Sequence, residues 1–385
     1  MQPATRPLSE EHEQFRASLR EFVAREISPY VSDWDEAGTF PRDLYRRAAE
    51  LGATGLGFPE EYGGSPGDVF LKLIHAEEYA RCGAGGLQAS LNSHVIALPP
   101  IVAVGSEYLK QLVLPPVLKG EKIAELAVTE PSGGSDVAAL KTRAVREGDH
   151  YVVNGEKTFI TSGMRADFLT VAVRTDPNRR GADGISILLI DGNTPGLTRT
   201  ELKKTGWWCS DTAHLHFDNC RVPVDRLVGV ENKGFRPLMA NFNGERLFMS
   251  ALAYGFAGVC HEEALDWARQ RVTFGEPLVQ RQVIRHKLVD MAMRIEASRS
   301  LVYDLAERLE RHPNDPEVVA GIAMAKIFTT QALRFCADEA IQILGGMGYM
   351  RGTRSERIYR EVKVMMIGGG SEEILKDLAA RQLGY

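Results

Sequence analysis

The chain has 385 residues, 44% hydrophobic and 25% charged, enough for two or three domains with substantial cores. Its net charge of -5 leaves no basic footprint for nucleic acid or an anionic membrane surface. Five scattered cysteines (Cys82, Cys209, Cys220, Cys260, Cys336) without CxxC spacing read as reduced thiols rather than a disulfide frame or a metal site.

The opening residues run into an acidic helix pattern with no apolar leader. No stretch reads as a membrane span of roughly 18 apolar residues. A cytoplasmic protein is the expectation.

From Ser9 to about Gly120 the pattern is helical. Ser9 is a capping residue ahead of Glu10, Glu11 and Glu13, and Phe15, Leu19, Phe22 and Val23 recur at helical spacing. Further helices are predicted from Leu44 to Leu51, Val69 to Ala80 and Tyr108 to Leu118. Between Ile123 and Gly229 short β-branched runs take over: Glu125 to Thr129, His150 to Val153, Lys157 to Thr161, Phe168 to Val173, Gly184 to Ile190 and Ala213 to Phe217. Asn154-Gly155 and Asp191-Gly192-Asn193 read as turns between them, and the spacing suggests a compact antiparallel barrel or sandwich.

Helices return after Gly234, with Pro237 placed in the first turn of the helix that carries Glu245. Val283, Leu288, Met291, Ala292 and Ile295 form one apolar stripe, and Val319, Ile322, Ala323, Ile327 and Phe328 another. Ser371 is a plausible N-cap of the last helix, with Glu372 and Glu373 at its positive end. The expected layout is α+β: an N-terminal helical domain over 1–122, a central β domain over 123–232 and a C-terminal helical bundle over 233–385.

Four segments carry chemistry. Leu126-Ala127-Val128-Thr129-Glu130-Pro131-Ser132-Gly133-Gly134-Ser135-Asp136 brings a strand end into a Gly-rich turn, where small residues let a planar ligand lie against backbone amides. Phe159-Ile160-Thr161 follows on a strand, where simple alternation would put Phe159 in the barrel core. Arg271-Val272-Thr273-Phe274-Gly275, then Gln282, offers a cationic fork suited to a pyrophosphate. Its companion is Gln342-Ile343-Leu344-Gly345-Gly346. No GxGxxG is present, so a Rossmann fold is not indicated.

These segments, in this order over nearly the whole chain, resemble the signatures of the acyl-CoA dehydrogenases. The resemblance implies FAD held by Leu126, Val128, Thr129, Gly134, Ser135, Phe159 and Thr161, with Ser135 also touching the acyl-CoA. It implies that Arg271, Phe274, Gln282, Gln342, Gly345 and Gly346 serve the cofactor across a subunit interface, and that Ser371 and Glu373 lie on the cofactor side. The family's usual aromatic at the position of Phe159 is Trp, so an indole N–H donor is lost here. A homotetramer that hands electrons to an electron-transfer flavoprotein is the implied assembly and partner.

One departure decides the rest. The common branch of that family has its catalytic Glu at the position of Gly369, within Gly368-Gly369-Gly370-Ser371, and glycine has no base. Asn241-Phe242-Asn243-Gly244-Glu245-Arg246-Leu247 looks like the Glu-Arg-Leu of the long-chain and isovaleryl-CoA branches, whose base sits on a mid-chain helix.

Glu245 is therefore expected to take the α-proton as hydride leaves the β-carbon for the flavin. The Gly369 N–H still stabilises the thioester oxygen, and Asn243, Arg246 and Gly370 face substrate. Gly368 and Gly369 suggest a roomy wall for long or methyl-branched chains, citronellyl-type thioesters included. The resemblance also implies that Leu87 to Asn92 lines part of the pocket, while the residues themselves read as a plain helix–loop segment. Glu130 reads as structural, and Glu372 as a helix cap. Competing readings are a flavin oxidase or monooxygenase on the same fold, or a non-catalytic member.

Overall fold

The computed structural model describes residues 8–179, 181–240 and 242–385. Asn241, the first residue of the Glu245 motif, lies outside the described residues.

The N-terminal third holds α1 (Glu10–Phe22), α2 (Val31–Ala37), α3 (Asp43–Glu50), α4 (Val69–Ala80), α5 (Gly85–Leu91), α6 (His94–Ala97), α7 (Pro99–Val104) and α8 (Glu107–Leu118). Ser9 caps α1 as its residue type predicts. Its hydroxyl accepts from the His12 N–H at 3.3 Å, and His12 Nδ1 accepts from the Ser9 N–H at 3.1 Å, a reciprocal box. Leu19, Val23, Leu44 and Tyr79 meet in one core, which also takes in a π-helical turn, Val23–Ile27.

The middle third is a sheet of eight strands: β1 (Ala124–Ala127), β2 (Arg143–Glu147), β3 (His150–Thr161), β4 (Phe168–Arg174), β5 (Ile185–Asp191), β6 (Leu197–Glu201), β7 (Thr212–Pro223) and β8 (Leu227–Val228). The order is β6-β7-β3-β2-β4-β5-β8, with β1 beside β4. Two pairings differ from the antiparallel expectation, since β1 runs parallel to β4, as does β2 at its single bridge.

The expected turn at Asn154-Gly155 is not a turn. It lies inside β3, where the register against β7 shifts between Val153 and Gly155. Gly155 has φ +144, and a Cβ there would stand 2.7 Å from Thr142 Cα, so the bulge admits only glycine without a shift. Strand β4 is buried on both faces. Leu169, Val171 and Val173 face the sheet's own core, while Phe168 and Ala172 pack on the N-terminal helices.

The last third has α9 (Phe235–Ala240), α10 (Phe242–Gln270), a hairpin of β9 (Val272–Thr273) and β10 (Glu276–Pro277), then α11 (Gln282–Arg311), α12 (Pro316–Leu344), α13 (Gly346–Tyr349), α14 (Arg354–Ile367) and α15 (Glu372–Leu383). Pro237 is the third residue of α9 rather than part of α10. Helix α12 is long and apolar enough to cross a membrane, contrary to the expectation that no stretch is. It packs instead against α10, α11, α14 and α15 as the bundle's central rod. Glu245 lies within electrostatic reach of Lys326, and Cys260 of Cys336, so α10 and α12 run parallel.

The three regions meet at α14. Glu361 accepts hydrogen bonds from the N–H of Gly85 at 2.7 Å and of Trp207 at 3.2 Å, and Arg351 and Arg360 lie over the Trp208 ring at 4.2 and 3.7 Å. That junction anchors the helix whose C-terminal end leads into Gly368-Gly369-Gly370.

Candidate active site

Glu245 sits in the first turn of α10, partly buried. Desolvation pushes its carboxyl up to about 7, against the downward pull of the nearby Arg246 and Lys326 cations. A carboxylate poised near neutral pH is suited to accept a proton from a weak carbon acid. Arg246 does not clamp it. Its Nε donates to the Gly369 carbonyl at 3.0 Å and its Nη1 to Asn243 Oδ1 at 3.3 Å. The structure thus brings Glu245, Asn243, Arg246, Gly369 and Gly370 together from two distant parts of the chain.

The glycine turn that follows α14 has φ +68 at Gly369 and +109 at Gly370, both left-handed conformations that favour glycine. The Gly369 N–H donates to no acceptor among the described residues. Met249, one turn beyond Glu245, puts its Sδ 2.8 Å from the position a Cβ at Gly369 would take. The expected roominess at this wall is therefore corrected: the space opened at Gly369 is partly filled by Met249, whereas at Gly368 the nearest Met249 atom is 4.0 Å away.

Sequence reasoning missed Met249, which looked like ordinary apolar helix, and also Lys326. Only 1% exposed on α12, Lys326 donates to the carbonyls of Met366 at 3.1 Å and Gly370 at 2.8 Å. Its one sequence signal was a lysine inside the apolar run Met324-Ala325-Lys326-Ile327. Glu125 on β1 was also overlooked. Burial holds its carboxyl well above the usual range, and it feels the charges of Asp211 and Glu245.

The Gly-rich turn follows β1. Glu130 and Gly133 exchange backbone hydrogen bonds, and the Thr158 N–H donates to the Thr129 carbonyl at 2.9 Å, which ties the turn to β3. Glu130 is structural, as expected. It accepts from the N–H of Lys141 at 2.6 Å, the N–H of Thr142 at 2.8 Å and Lys157 Nζ at 2.9 Å. Lys157 also donates to the Val128 carbonyl at 2.9 Å. Gly134 and Ser135 are exposed at the tip; Leu126, Val128 and Thr129 are partly buried beneath.

Phe159 is not barrel core. A second register shift in β3, between Lys157 and Ile160, holds it at φ +60 with 70% of its surface exposed, while Thr161 pairs with Thr212. A non-glycine residue kept in that conformation with its ring in solvent is uncommon, and it leaves the ring face open to a flat partner.

The other segments lie elsewhere. Helix α10 separates Glu245 from Arg271 by about 39 Å at 1.5 Å per residue. Because α12 runs parallel to α10, Gln342, Gly345 and Gly346 end near the Arg271 end of the bundle, away from Glu245. Phe274 stands 98% exposed on the hairpin, with Arg281 over its ring at 5.8 Å; Arg271 and Gln282 are exposed beside it. Ser371 is the N-cap residue of α15 without a side-chain cap bond, Glu373 is exposed, and Glu372 accepts from Gln331 Nε2 at 2.9 Å.

An outward-held aromatic stands beside a Gly-rich amide turn, and the charge of Glu245 reaches Glu125 on β1, the strand that leads into that turn. Family models for the acyl-CoA dehydrogenase N-terminal, middle and C-terminal domains match residues 9–121, 125–220 and 232–384. A probable acyl-CoA dehydrogenase, YngJ, of Bacillus subtilis is 37% identical, with 98% of each chain covered. The crystal structure of a probable acyl CoA dehydrogenase from Mycobacterium abscessus superposes at TM-score 0.94 with 47% identity, covering 98% of this chain and 99% of that one. Butyryl-CoA dehydrogenase from Megasphaera elsdenii gives 0.92 at 32% identity, over 99% of this chain and 100% of that one.

The chain belongs to the acyl-CoA dehydrogenase family: it has that fold, and it is an FAD-dependent oxidoreductase acting on CH–CH bonds. The residues present fit the cofactor, because Phe159 offers an open ring face and Gly133 has open space where its side chain would be.

Proposed function

We propose that the enzyme dehydrogenates a medium-chain, long-chain or methyl-branched acyl-CoA to the trans-2-enoyl-CoA, with Glu245 as the α-proton base. In this reading it resembles the long-chain and isovaleryl-CoA branches. The observation that carries the reading is the pairing of a desolvated carboxylate at Glu245 with a turn at Gly369 that can hold none.

Bound FAD supplies the acceptor for the hydride that leaves the β-carbon. Glu245 takes the α-proton, and the Gly369 N–H, free of other acceptors among the described residues, receives the thioester oxygen as it gains enolate character. Arg246 holds the next peptide along, through the Gly369 carbonyl. Leu126, Val128, Thr129, Gly134, Ser135, Phe159 and Thr161 would line the flavin, and Ser135 the acyl-CoA. Arg271, Phe274, Gln282, Gln342, Gly345 and Gly346 would serve the cofactor of a neighbouring subunit, with Ser371 and Glu373 on the cofactor side.

Met249 is a flexible thioether that can repack against different chains. A Cβ at Gly368 would meet the Val364 carbonyl at 3.2 Å, with Met249 as the nearest side chain at 4.0 Å, so the wall there is backbone, and isovaleryl, citronellyl-type and straight long chains are all candidates. An apolar face on α11 and α12 with Met293 55% and Phe328 40% exposed supports a homotetramer. The electron acceptor in this reading is an electron-transfer flavoprotein. Five buried, unpaired cysteines suit a reducing cytoplasm.

Anaerobic flavin bleaching against a panel of acyl-CoA thioesters tests the reading, with Glu245→Gln alongside. The variant should keep FAD and lose about 10²–10⁴-fold in rate. Near wild-type turnover in a folded, flavin-loaded Glu245→Gln protein would reject Glu245 as the base, and a sharp optimum at short straight chains would reject the substrate class.

A further inference from the structure

Two cations from different helices grip the same turn. Lys326 of α12 holds the carbonyls of Met366 and Gly370, and Arg246 of α10 holds that of Gly369, the residue before Gly370. Lysine is rarely as buried as this one, at 1% exposure, unless it is paired. Among the described residues its hydrogen bonds go to carbonyls alone. A neutral donor could satisfy those two carbonyls without bringing an ammonium into the interior. The charge lies beside Glu245, whose ionised form it favours.

We propose that Lys326 is a positioning residue for the reaction. Its ammonium holds the Gly368–Gly370 turn so that the Gly369 N–H faces the thioester oxygen, and it sets a positive charge beside the Glu245 carboxyl. The inference rests on the assignment of Glu245 and Gly369 above.

Burial also makes the ammonium easier to discharge: desolvation, then Arg246, bring it down to about 8, with Glu245 and Glu372 opposing. The charges facing it are Glu245 and Arg246 on α10 and Glu372 on α15, while α14 presents the Met366 carbonyl and the turn after it the Gly370 carbonyl. Glu125 on β1, itself held largely protonated by burial, feels the charge of Glu245 from across the site.

Two substitutions separate the roles. Lys326→Gln keeps donors for the carbonyls but removes the charge. The acid limb of its kcat/KM profile for octanoyl-CoA should move up by about one pH unit, with the plateau held within roughly threefold. Lys326→Met removes both, and its plateau kcat should fall by roughly 10–100-fold, a loss of the size seen when one hydrogen-bond donor to a developing oxyanion is misplaced.

Exchange of the octanoyl-CoA α-protons with D2O, followed by NMR under anaerobic conditions, reads the base directly. It should slow in both variants at pH 6.5 while bound FAD is retained. A wild-type acid limb and wild-type exchange in Lys326→Gln, with an unchanged plateau in Lys326→Met, would overturn the proposal. If Lys326→Met does not fold, the limb and exchange of Lys326→Gln decide. Absence of exchange in the wild-type enzyme would instead count against Glu245 as the base.

Discussion

Met249 Sδ stands 2.8 Å from the point where a side chain on Gly369 would begin, one helical turn beyond Glu245. The two positions are alternatives in space: with Met249 on α10 in this place, a side chain at 369 must displace it. The backbone agrees, because φ +68 at Gly369 disfavours any residue with a Cβ.

Gly369→Ala should therefore destabilise the fold by about 1–3 kcal/mol through strain and contact together. Met249→Ala in the same chain should return part of that loss, leaving only the backbone term. Chemical denaturation of the single and double variants measures both; equal stability of Gly369→Ala and wild type would show that the turn adapts freely.

The raised carboxyl of Glu245 predicts a pH dependence of stability as well as of rate. Glu245 binds its proton more tightly when folded, so between pH 4.5 and about 7 folding takes up a proton and stability falls as pH rises. Above that window the cost is constant. Glu245→Gln removes it, so the inactive variant should match wild type near pH 4.5 and exceed its stability at pH 8. Urea midpoints at the two pH values give the comparison.

Phe159 is 70% exposed and strained, so it contributes little to the apo fold. Phe159→Ala should leave the melting of the flavin-free protein unchanged or slightly raised, while FAD affinity drops about 10-fold from lost stacking. Phe159→Trp should retain the cofactor. Titration of FAD into apo protein, read by quenching of flavin fluorescence, checks each.

The Glu130–Lys157 pair is buried, with Lys157 fully shielded and brought down to about 8 by desolvation against the pull of Glu130. Removing the cation alone in Lys157→Met leaves a carboxylate held by backbone N–H groups only. A loss of about 3–5 kcal/mol is expected. Glu130→Gln combined with Lys157→Met should recover part of it, as denaturant titration would report.

Much of the architecture was legible before any coordinates. Helices α1 and α4 announce themselves by their spacing, and β4 and β5 by runs of β-branched residues. What escaped was decided by partners rather than by local pattern. Strands β2 and β6, rich in charge, are strands because β3 and β7 pair with them.

At Asn154-Gly155 a turn-like dipeptide is a bulge, since Gly155 must pass close to Thr142. Alternation would bury Phe159, but a register shift turns it outward. The glycine run and Glu245 could be read as a matched pair, yet neither Met249 nor Lys326 could be tied to them. Met249 is apolar at an apolar position, and Lys326 meets its carbonyls across 40 and 44 residues of sequence.

The length of α10 has a genetic consequence. Its two ends carry the proposed base and the proposed pyrophosphate fork about 39 Å apart, farther than one dinucleotide spans. A complete catalytic unit would then draw on two polypeptides, so co-expressing a Glu245→Gln chain with an Arg271→Ala chain should give mixed assemblies in which one pocket inherits both defects and another inherits neither. Two alleles, each silent alone, would complement.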